Sequence, residues 1–357
     1  MQEAGIKDWW ARGGANYVPA TPSASPSGCT GRAHLIYVDT GLSPVNRDRL
    51  LEDVRKILAK TGFFLSEETN TRGLAFDIVA RRDEVLLMVK VLLNVDAFSK
   101  QSAEELRMIA TTLKGAPLLI GERSGAGPLE DGVIYARSGV PILSRQTFTD
   151  FFEEGVPPFI FSAPGGLYVK LDGEALRRAR EAKQISLGAL AEVAGVSRRA
   201  IQMYLEGMSA TIDIALRLEE FLGEPLVVPM DPFQYSSRVA ELLSGFEEFE
   251  RFDRDVFQRL SRLGYDVLPT VKCPFEAFTK DREIVLLTGT ANARERADDK
   301  ASIVANLARV VERDSVLFVE RRVSRTTLGG TAVIGQDELK KIRDRAKILE
   351  LIEERKS

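Results

Sequence analysis

Residues 187–201 read LGALAEVAGVSRRAI, and this stretch decides the fold at the centre of the chain. Ser186 caps a helix that ends at Gly195, where glycine accommodates the tight turn, and Ser197 then caps a further helix over 198–205. The small Ala191 lets the two helices cross closely. The positions expected to point inward are Leu187, Leu190, Ala191, Ala194, Ile201 and Leu205. The spacing therefore predicts a helix-turn-helix.

The segments on either side complete a small domain. A helix over 174–183 precedes the motif, and an amphipathic helix over 211–222 follows it. Upstream, the apolar runs 159–163 and 167–171 flank Pro-Gly-Gly, a cluster that favours a turn. We therefore predict a β-hairpin and helix-turn-helix domain over residues 159–228.

The N-terminal turn of the helix over 198–205, with Met203 one turn further on, carries groups that can recognise double-stranded DNA. Arginine can bond bidentately to guanine, glutamine can pair with adenine, and methionine can contact a thymine methyl group. A helix N-terminus with a serine hydroxyl suits a phosphate. The residues predicted to contact DNA are Ser186, Ser197, Arg198, Arg199, Gln202 and Met203.

Charge supports this prediction only locally. The whole chain has 357 residues and a net charge of −3, so a globally cationic nucleic-acid-binding protein is excluded. Basic residues nevertheless outnumber acidic ones between 174 and 205. The alternative is a helical packing module whose arginines are merely solvated. We favour DNA binding because the caps, the turn and the basic positions agree.

The flanking segments predict two α/β domains with one order of elements, α-β-β-α-β-β-α. Residues 76–87 align without a gap to residues 275–286, an offset of 199. An internal duplication is the simplest explanation. Two unrelated α/β domains are the alternative.

This order, with Asp77 on one strand and Lys90 on the next, is similar to the restriction-endonuclease and Holliday-junction-resolvase core. Such sites use an Asp, and an acidic residue two positions before a Lys, around a divalent metal. Met88 occupies that second position, and a thioether does not bind a hard cation. In the second segment Glu276 stands opposite Asp77, but Gly289 replaces the lysine. We therefore expect neither catalytic residues, metal nor cofactor, and predict that the chain is not an enzyme.

Scarce residue types exclude other classes of site. His34 is the sole histidine, and Cys29 and Cys273 lack zinc-ligand spacing. No apolar run approaches the roughly 20 residues of a membrane span. Residues 1–45, rich in Pro, Ser and Gly near their middle, predict a flexible tail. We expect a reduced, cytoplasmic protein without membrane contact.

Two resemblances carry these predictions further. Residues 174–222 resemble the Cro/C1-type (XRE) helix-turn-helix family. The segments PLEDGVIY (128–135), EGVPP (154–158) and APGGLYV (163–169) resemble an archaeal family of HTH-type transcriptional regulatory proteins. The second resemblance runs from about residue 50 to the C-terminus and implies transcription regulation.

Together these observations predict an α/β plus all-α chain. A tail (1–45) precedes a degenerate nuclease-like domain (46–158), the helix-turn-helix domain (159–228) and a second degenerate nuclease-like domain (229–357). The predicted function is sequence-specific regulation of transcription, with the α/β domains serving dimerisation or partner contact. A structure-specific or junction-processing DNA nuclease is one alternative, and a scaffold that does not touch DNA is another. Because one chain has one such motif, we expect a homodimer.

Overall fold

The computed structural model describes residues 46–68, 73–234, 249–292, 297–320 and 325–355. The predicted tail, with His34 and Cys29, lies outside the described residues. Within the described ranges, no helix is both long enough and apolar enough to span a bilayer.

The first α/β region is a mixed sheet with helices on both faces. Its elements are α1 (Arg47–Lys60), β1 (Phe64–Leu65), β2 (Ile78–Arg82), β3 (Val85–Asn94), α2 (Lys100–Leu113), β4 (Ala116–Ser124), β5 (Gly127–Pro128), β6 (Val133–Arg137), β7 (Val140–Ser144) and α3 (Arg145–Glu153). The strand order is β1-β2-β3-β4-β7-β6. Strands β3, β4 and β7 run parallel, and the other neighbours along this order are antiparallel. The almost unbroken apolar run of β3 suits a central strand covered on both faces.

Side-chain caps set the helix starts a few residues earlier than the apolar periodicity indicates. Helix α2 begins at Lys100 because the Ser99 hydroxyl accepts a hydrogen bond from the Ser102 N–H at 3.1 Å. Helix α3 begins directly after Ser144, whose hydroxyl accepts from the Thr147 N–H at 3.1 Å. The apolar positions of the sequence alone predict starts at Ser102 and Thr147.

The second α/β region has the same strand order and the same pairing directions. Its elements are α8 (Arg251–Arg262), β12 (Asp266–Pro269), β13 (Ala277–Asp281), β14 (Ile284–Ala291), α9 (Ala297–Val311), β15 (Asp314–Val319), β16 (Thr327–Leu328), β17 (Thr331–Gly335), α10 (Gln336–Leu339) and α11 (Ala346–Arg355). The order is β12-β13-β14-β15-β17-β16, with β14, β15 and β17 parallel. Helix α10 is only four residues long, and α11 follows it.

The two α/β regions pack against each other within the chain. One buried apolar cluster contains Met88 of β3, Phe278 of β13 and residues of α2 and α9. Polar contacts cross the same boundary. Glu105 Oε1 accepts hydrogen bonds from the N–H groups of Val271 at 2.7 Å and Lys272 at 2.6 Å. Residues 85–91 of β3 are therefore buried inside one molecule rather than free to contact another.

The central region continues the first sheet and carries the helices. Its elements are β8 (Ile160–Ala163), β9 (Gly166–Leu171), α4 (Gly173–Ala182), α5 (Leu187–Ala194), α6 (Arg198–Leu205), β10 (Ser209–Thr211), α7 (Ile212–Leu222) and β11 (Val227–Val228). Strand β8 pairs in parallel with β6, and β9 pairs with β8, β10 and β11. The predicted hairpin is thus present. Further along, the ring of Phe233 packs edge-on against Phe151 at a centroid distance of 5.5 Å. The helical region is therefore tied to the first α/β region at both ends.

Candidate nucleic-acid interface

Helices α5 and α6 form the turn that the sequence predicts. The Ser186 hydroxyl accepts a hydrogen bond from the Ala189 N–H at 3.1 Å, and the Ser197 hydroxyl accepts one from the Ala200 N–H at 3.2 Å. Gly195 ends α5 with a φ of +71°, a conformation that favours glycine. Each helix thus begins after a serine N-cap, and the left-handed turn at Gly195 separates the two helices.

The inner face of α6 differs in part from the prediction. Ile201 is fully buried, as expected, but Leu205 is only partly buried. Tyr204 lies in the core instead, with 8% of its surface exposed, and burial raises the pKa of its phenol. Tyr204 stands three residues after Ile201, a helical spacing that could have indicated this position.

Most of the residues predicted to contact DNA lie on the surface. Ser186, Ser197, Arg198, Arg199 and Gln202 are exposed, whereas Met203 is half-buried. The serines are the N-caps of α5 and α6, the two arginines lie in the first turn of α6, and Gln202 lies in its second turn. The outer side of the motif is therefore polar and hydrogen-bonding, as a surface that contacts a duplex requires.

Gly188 is a residue that sequence reasoning missed. A Cβ atom built on Gly188 would lie 3.0 Å from Nη2 of Arg198 and 3.2 Å from its Nε. The guanidinium of Arg198 therefore lies against the first turn of α5. Because Gly188 has no side chain, the guanidinium of Arg198 fits between the N-terminal turns of the two helices. The positive charge there favours an anion such as a DNA phosphate.

Only part of the local basic charge is free. Arg177 pairs with Glu174 at 2.6 Å, and Arg180 pairs with Glu181 at 3.1 Å. The Lys183 ammonium donates to the carbonyl of Leu222. Three other arginines form no ion pair with any residue that the structure describes. They are Arg178, Arg198 and Arg199.

In the first α/β region, Asp77 lies in a buried cluster of charges. Its Oδ1 is 3.2 Å from Nζ of Lys90 and 2.6 Å from Nη2 of Arg47, and its Oδ2 accepts from the Val91 N–H at 2.8 Å. The sequence pattern contains Asp77 and Lys90, but nothing in it indicates Arg47. Burial lowers the pKa of Lys90, and the charge of Asp77 opposes that shift.

The acidic residue that a metal-dependent nuclease needs here is absent. Met88 is fully buried in the apolar cluster that the two α/β regions share. An acid at this position would have to be desolvated among apolar side chains. Among the residues described, no group of three or more His, Cys, Asp or Glu side chains is placed to hold a metal ion.

The second α/β region corrects one expectation. Gly289 does replace the strand lysine, and a Cβ there would lie 2.9 Å from Cδ1 of Leu317, so a side chain at this position would require Leu317 to move. The site nevertheless has a lysine. Lys300, on α9, lies 2.6 Å from Oε1 of Glu276. Burial raises the pKa of the Glu276 carboxyl, and the charge of Lys300 partly offsets this.

Comparisons with known proteins agree with this geometry. Residues 47–158 match the PD-(D/E)XK superfamily domain, and residues 176–228 match a helix-turn-helix family. A relative from Methanocella arvoryzae is 38% identical over 312 residues, covering 86% of this chain and 96% of the relative. Relatives from Halorubrum lacusprofundi and Halobacterium salinarum are 37% and 36% identical, each covering 87% of this chain and 98% of the relative. All three carry the name "Putative HTH-type transcriptional regulatory protein".

The chain belongs to this archaeal HTH-type family. The resemblance expected from the sequence is therefore confirmed, and so is a mixed α/β fold with a PD-(D/E)XK-like domain and a helix-turn-helix. No solved structure matches the chain.

Proposed function

We propose that this chain regulates transcription by placing α6 in the major groove of double-stranded DNA at a specific sequence. The observation that carries the proposal is the exposed first turn of α6, where Arg198 lies against Gly188 beside the capped start of α5. Arg199 and Gln202 then face the base edges, and the serine caps and Arg198 contact the phosphates or guanine. Met203, half-buried, contributes a smaller contact with a thymine methyl group.

We further infer four parts to the chain. They are the tail (1–45), two α/β domains (46–158 and 229–357) that arose by duplication, and the helix-turn-helix domain between them (159–228). The shared strand order and pairing directions support the duplication. The α/β domains have no catalytic role in this proposal, because Met88 occupies the position of a metal-ligating acid and is buried.

The assembly that best serves this function is a homodimer. One chain has one motif, and helix-turn-helix proteins gain affinity by occupying two half-sites about 34 Å apart. The α/β domains supply much of the interface in this proposal. Because their facing sheet surfaces are already packed within the chain, the contact would use their outer helices or sheet edges.

Such a regulator would work beside the chromosome, in the cytoplasm of an archaeal cell.

A direct test is to recover DNA bound by the full chain across a genome, and then to compare a recovered sequence with a scrambled duplex in a gel shift. We expect a common motif, preferential binding to it and weaker binding as salt rises. Equal binding to both duplexes would contradict sequence-specific regulation. No binding at any salt concentration would favour a scaffold, and magnesium-dependent cleavage would favour a nuclease.

A further inference from the structure

A cavity opens beside the Asp77–Lys90 pair, where the two α/β domains meet. Its volume is about 460 Å³, within the range of small-molecule sites. Arg47 of α1, Lys90 of β3 and Lys272 of the second α/β domain line it. Most of the lining belongs to the first α/β region, and Lys272 is the residue that the second region adds.

Few carboxylates lie close to these three cations. Arg47 and Lys90 both contact the carboxylate of Asp77, at 2.6 and 3.2 Å, and Arg47 also lies 3.9 Å from the carboxylate of Asp48. Lys272 Nζ donates to the Ser102 hydroxyl at 2.7 Å, and no carboxylate of the described part of the chain forms an ion pair with it. The acidic side chain in the lining, Asp48, is 90% exposed, so water screens its charge.

The electrostatics of Lys90 agree with this geometry. Burial lowers its pKa most, and the charges of Arg47 and Lys272 lower it further, while Asp77 opposes them. These two cations are therefore close enough to repel the Lys90 ammonium. An anion placed among the three would relieve that repulsion.

We propose that this cavity binds a small phosphorylated molecule, with its phosphate held by Arg47, Lys90 and Lys272. A phosphate carries nearly two negative charges near neutral pH and offers three acceptor oxygens, which matches a cluster with more than one unbalanced cation. The Ser102 hydroxyl provides an additional polar partner. Leu74 and Phe98 supply an apolar wall against which the organic part of the molecule packs.

The same position explains why the site suits an anion rather than a metal. A metal-dependent nuclease gathers carboxylates there to attract a divalent cation. Here Met88 is apolar, and Arg47 and Lys272 add positive charge near the remaining carboxylate, Asp77. This site therefore gathers positive charge where a metal-dependent nuclease gathers negative charge. This inference does not depend on DNA recognition by α6.

The test uses the full chain with inorganic pyrophosphate and ADP as probes, and adenosine as the matched molecule without phosphate. Calorimetry should show binding of pyrophosphate and ADP but not of adenosine. Lys272→Met should weaken ADP binding about tenfold or more, because it removes a charge-assisted hydrogen bond to the phosphate. Lys90→Met should have a similar effect. Lys280→Met, an exposed lysine of the same domain as Lys272, should bind ADP like the wild type.

Several outcomes would overturn the proposal. No binding of either phosphate probe at millimolar concentration would do so, and so would equal affinity in the wild type and Lys272→Met. Lys272 is only partly buried, so its variant should fold even if Lys90→Met does not, and thermal melting checks this. If a single-stranded oligonucleotide binds in a Lys272-dependent way while ADP and pyrophosphate do not, the site contacts nucleic acid instead. Arg199→Ala should bind ADP like the wild type, because Arg199 lies on α6 and outside this cavity.

Discussion

Asp77 and Glu276 make the same hydrogen bond in two different sheets. Asp77 Oδ2 accepts from the N–H of Val91 at 2.8 Å, and Glu276 Oε2 accepts from the N–H of Thr290 at 2.7 Å. In both cases the acceptor and the donor are 14 residues apart. Each carboxylate therefore ties the start of one strand of a hairpin to the next strand.

The cations that balance these carboxylates come from different elements. Asp77 is balanced by Lys90 on the strand and Arg47 on α1, whereas Glu276 is balanced by Lys300 on α9. A buried carboxylate without a partner would cost several kcal/mol, so some cation is required in each site. That requirement explains why both sites keep an ion pair.

The first prediction concerns DNA cleavage. The purified chain with magnesium or manganese should leave duplex and branched DNA intact, because the buried Met88 occupies the position of the metal-ligating acid. Agarose and denaturing gels measure this directly. Cleavage that disappears in Asp77→Ala would show that the site is active after all.

The second prediction concerns pH and Glu276. Burial raises the pKa of this carboxyl above its ordinary value of 4.5, so the folded chain binds that proton more tightly than the unfolded chain does. The stability that it contributes is complete below pH 4.5 and is lost as the pH rises through the raised pKa. Glu276→Gln lacks this titration. The melting temperature of the wild type, relative to that of Glu276→Gln, should therefore fall with rising pH.

Thermal melts between about pH 4 and about pH 8 would measure that difference. Glu283→Gln, which changes an exposed carboxyl at the tip of the same hairpin, is the matched control and should follow the wild type. A constant offset between wild type and Glu276→Gln across this range would contradict the assigned direction.

The sequence predicted local features well because short-range spacing decides them. The serine caps and the Gly195 turn follow from residues within one or two elements of each other. The expected order α-β-β-α-β-β-α omits the additional strands β1, β5, β6, β12 and β16. The sequence did not predict the roles of Lys300 and Arg47, because these roles depend on where a distant helix packs against a strand. It did not predict the packing of the two α/β regions either, because that contact also joins distant segments. An apolar face such as that of β3 predicts burial but not the partner that buries it.

The third prediction tests recognition by α6. Arg198→Ala and Arg199→Ala should each weaken binding to the recovered operator by about 1–3 kcal/mol if these side chains reach base edges. Both arginines are exposed, so the substitutions should leave folding intact. Arg343→Ala, an exposed arginine of the second α/β domain, is the control and should bind normally. Unchanged operator affinity in both α6 variants would place the DNA contact elsewhere.

The last prediction concerns assembly, and it follows from the small number of free cations. Of the basic residues on α4 to α6, Arg177, Arg180 and Lys183 are occupied by partners within the domain. Each phosphate contact adds about 0.9 to the slope of log affinity against log salt, so the few remaining cations give one copy a shallow slope and weak binding. A homodimer would double that slope and cover two half-sites about 34 Å apart.

Light scattering should therefore give about twice the chain mass of 39.5 kDa, and the footprint should span both half-sites. A single 39.5 kDa species at micromolar concentration, with a footprint over one half-site, would show that the chain binds alone.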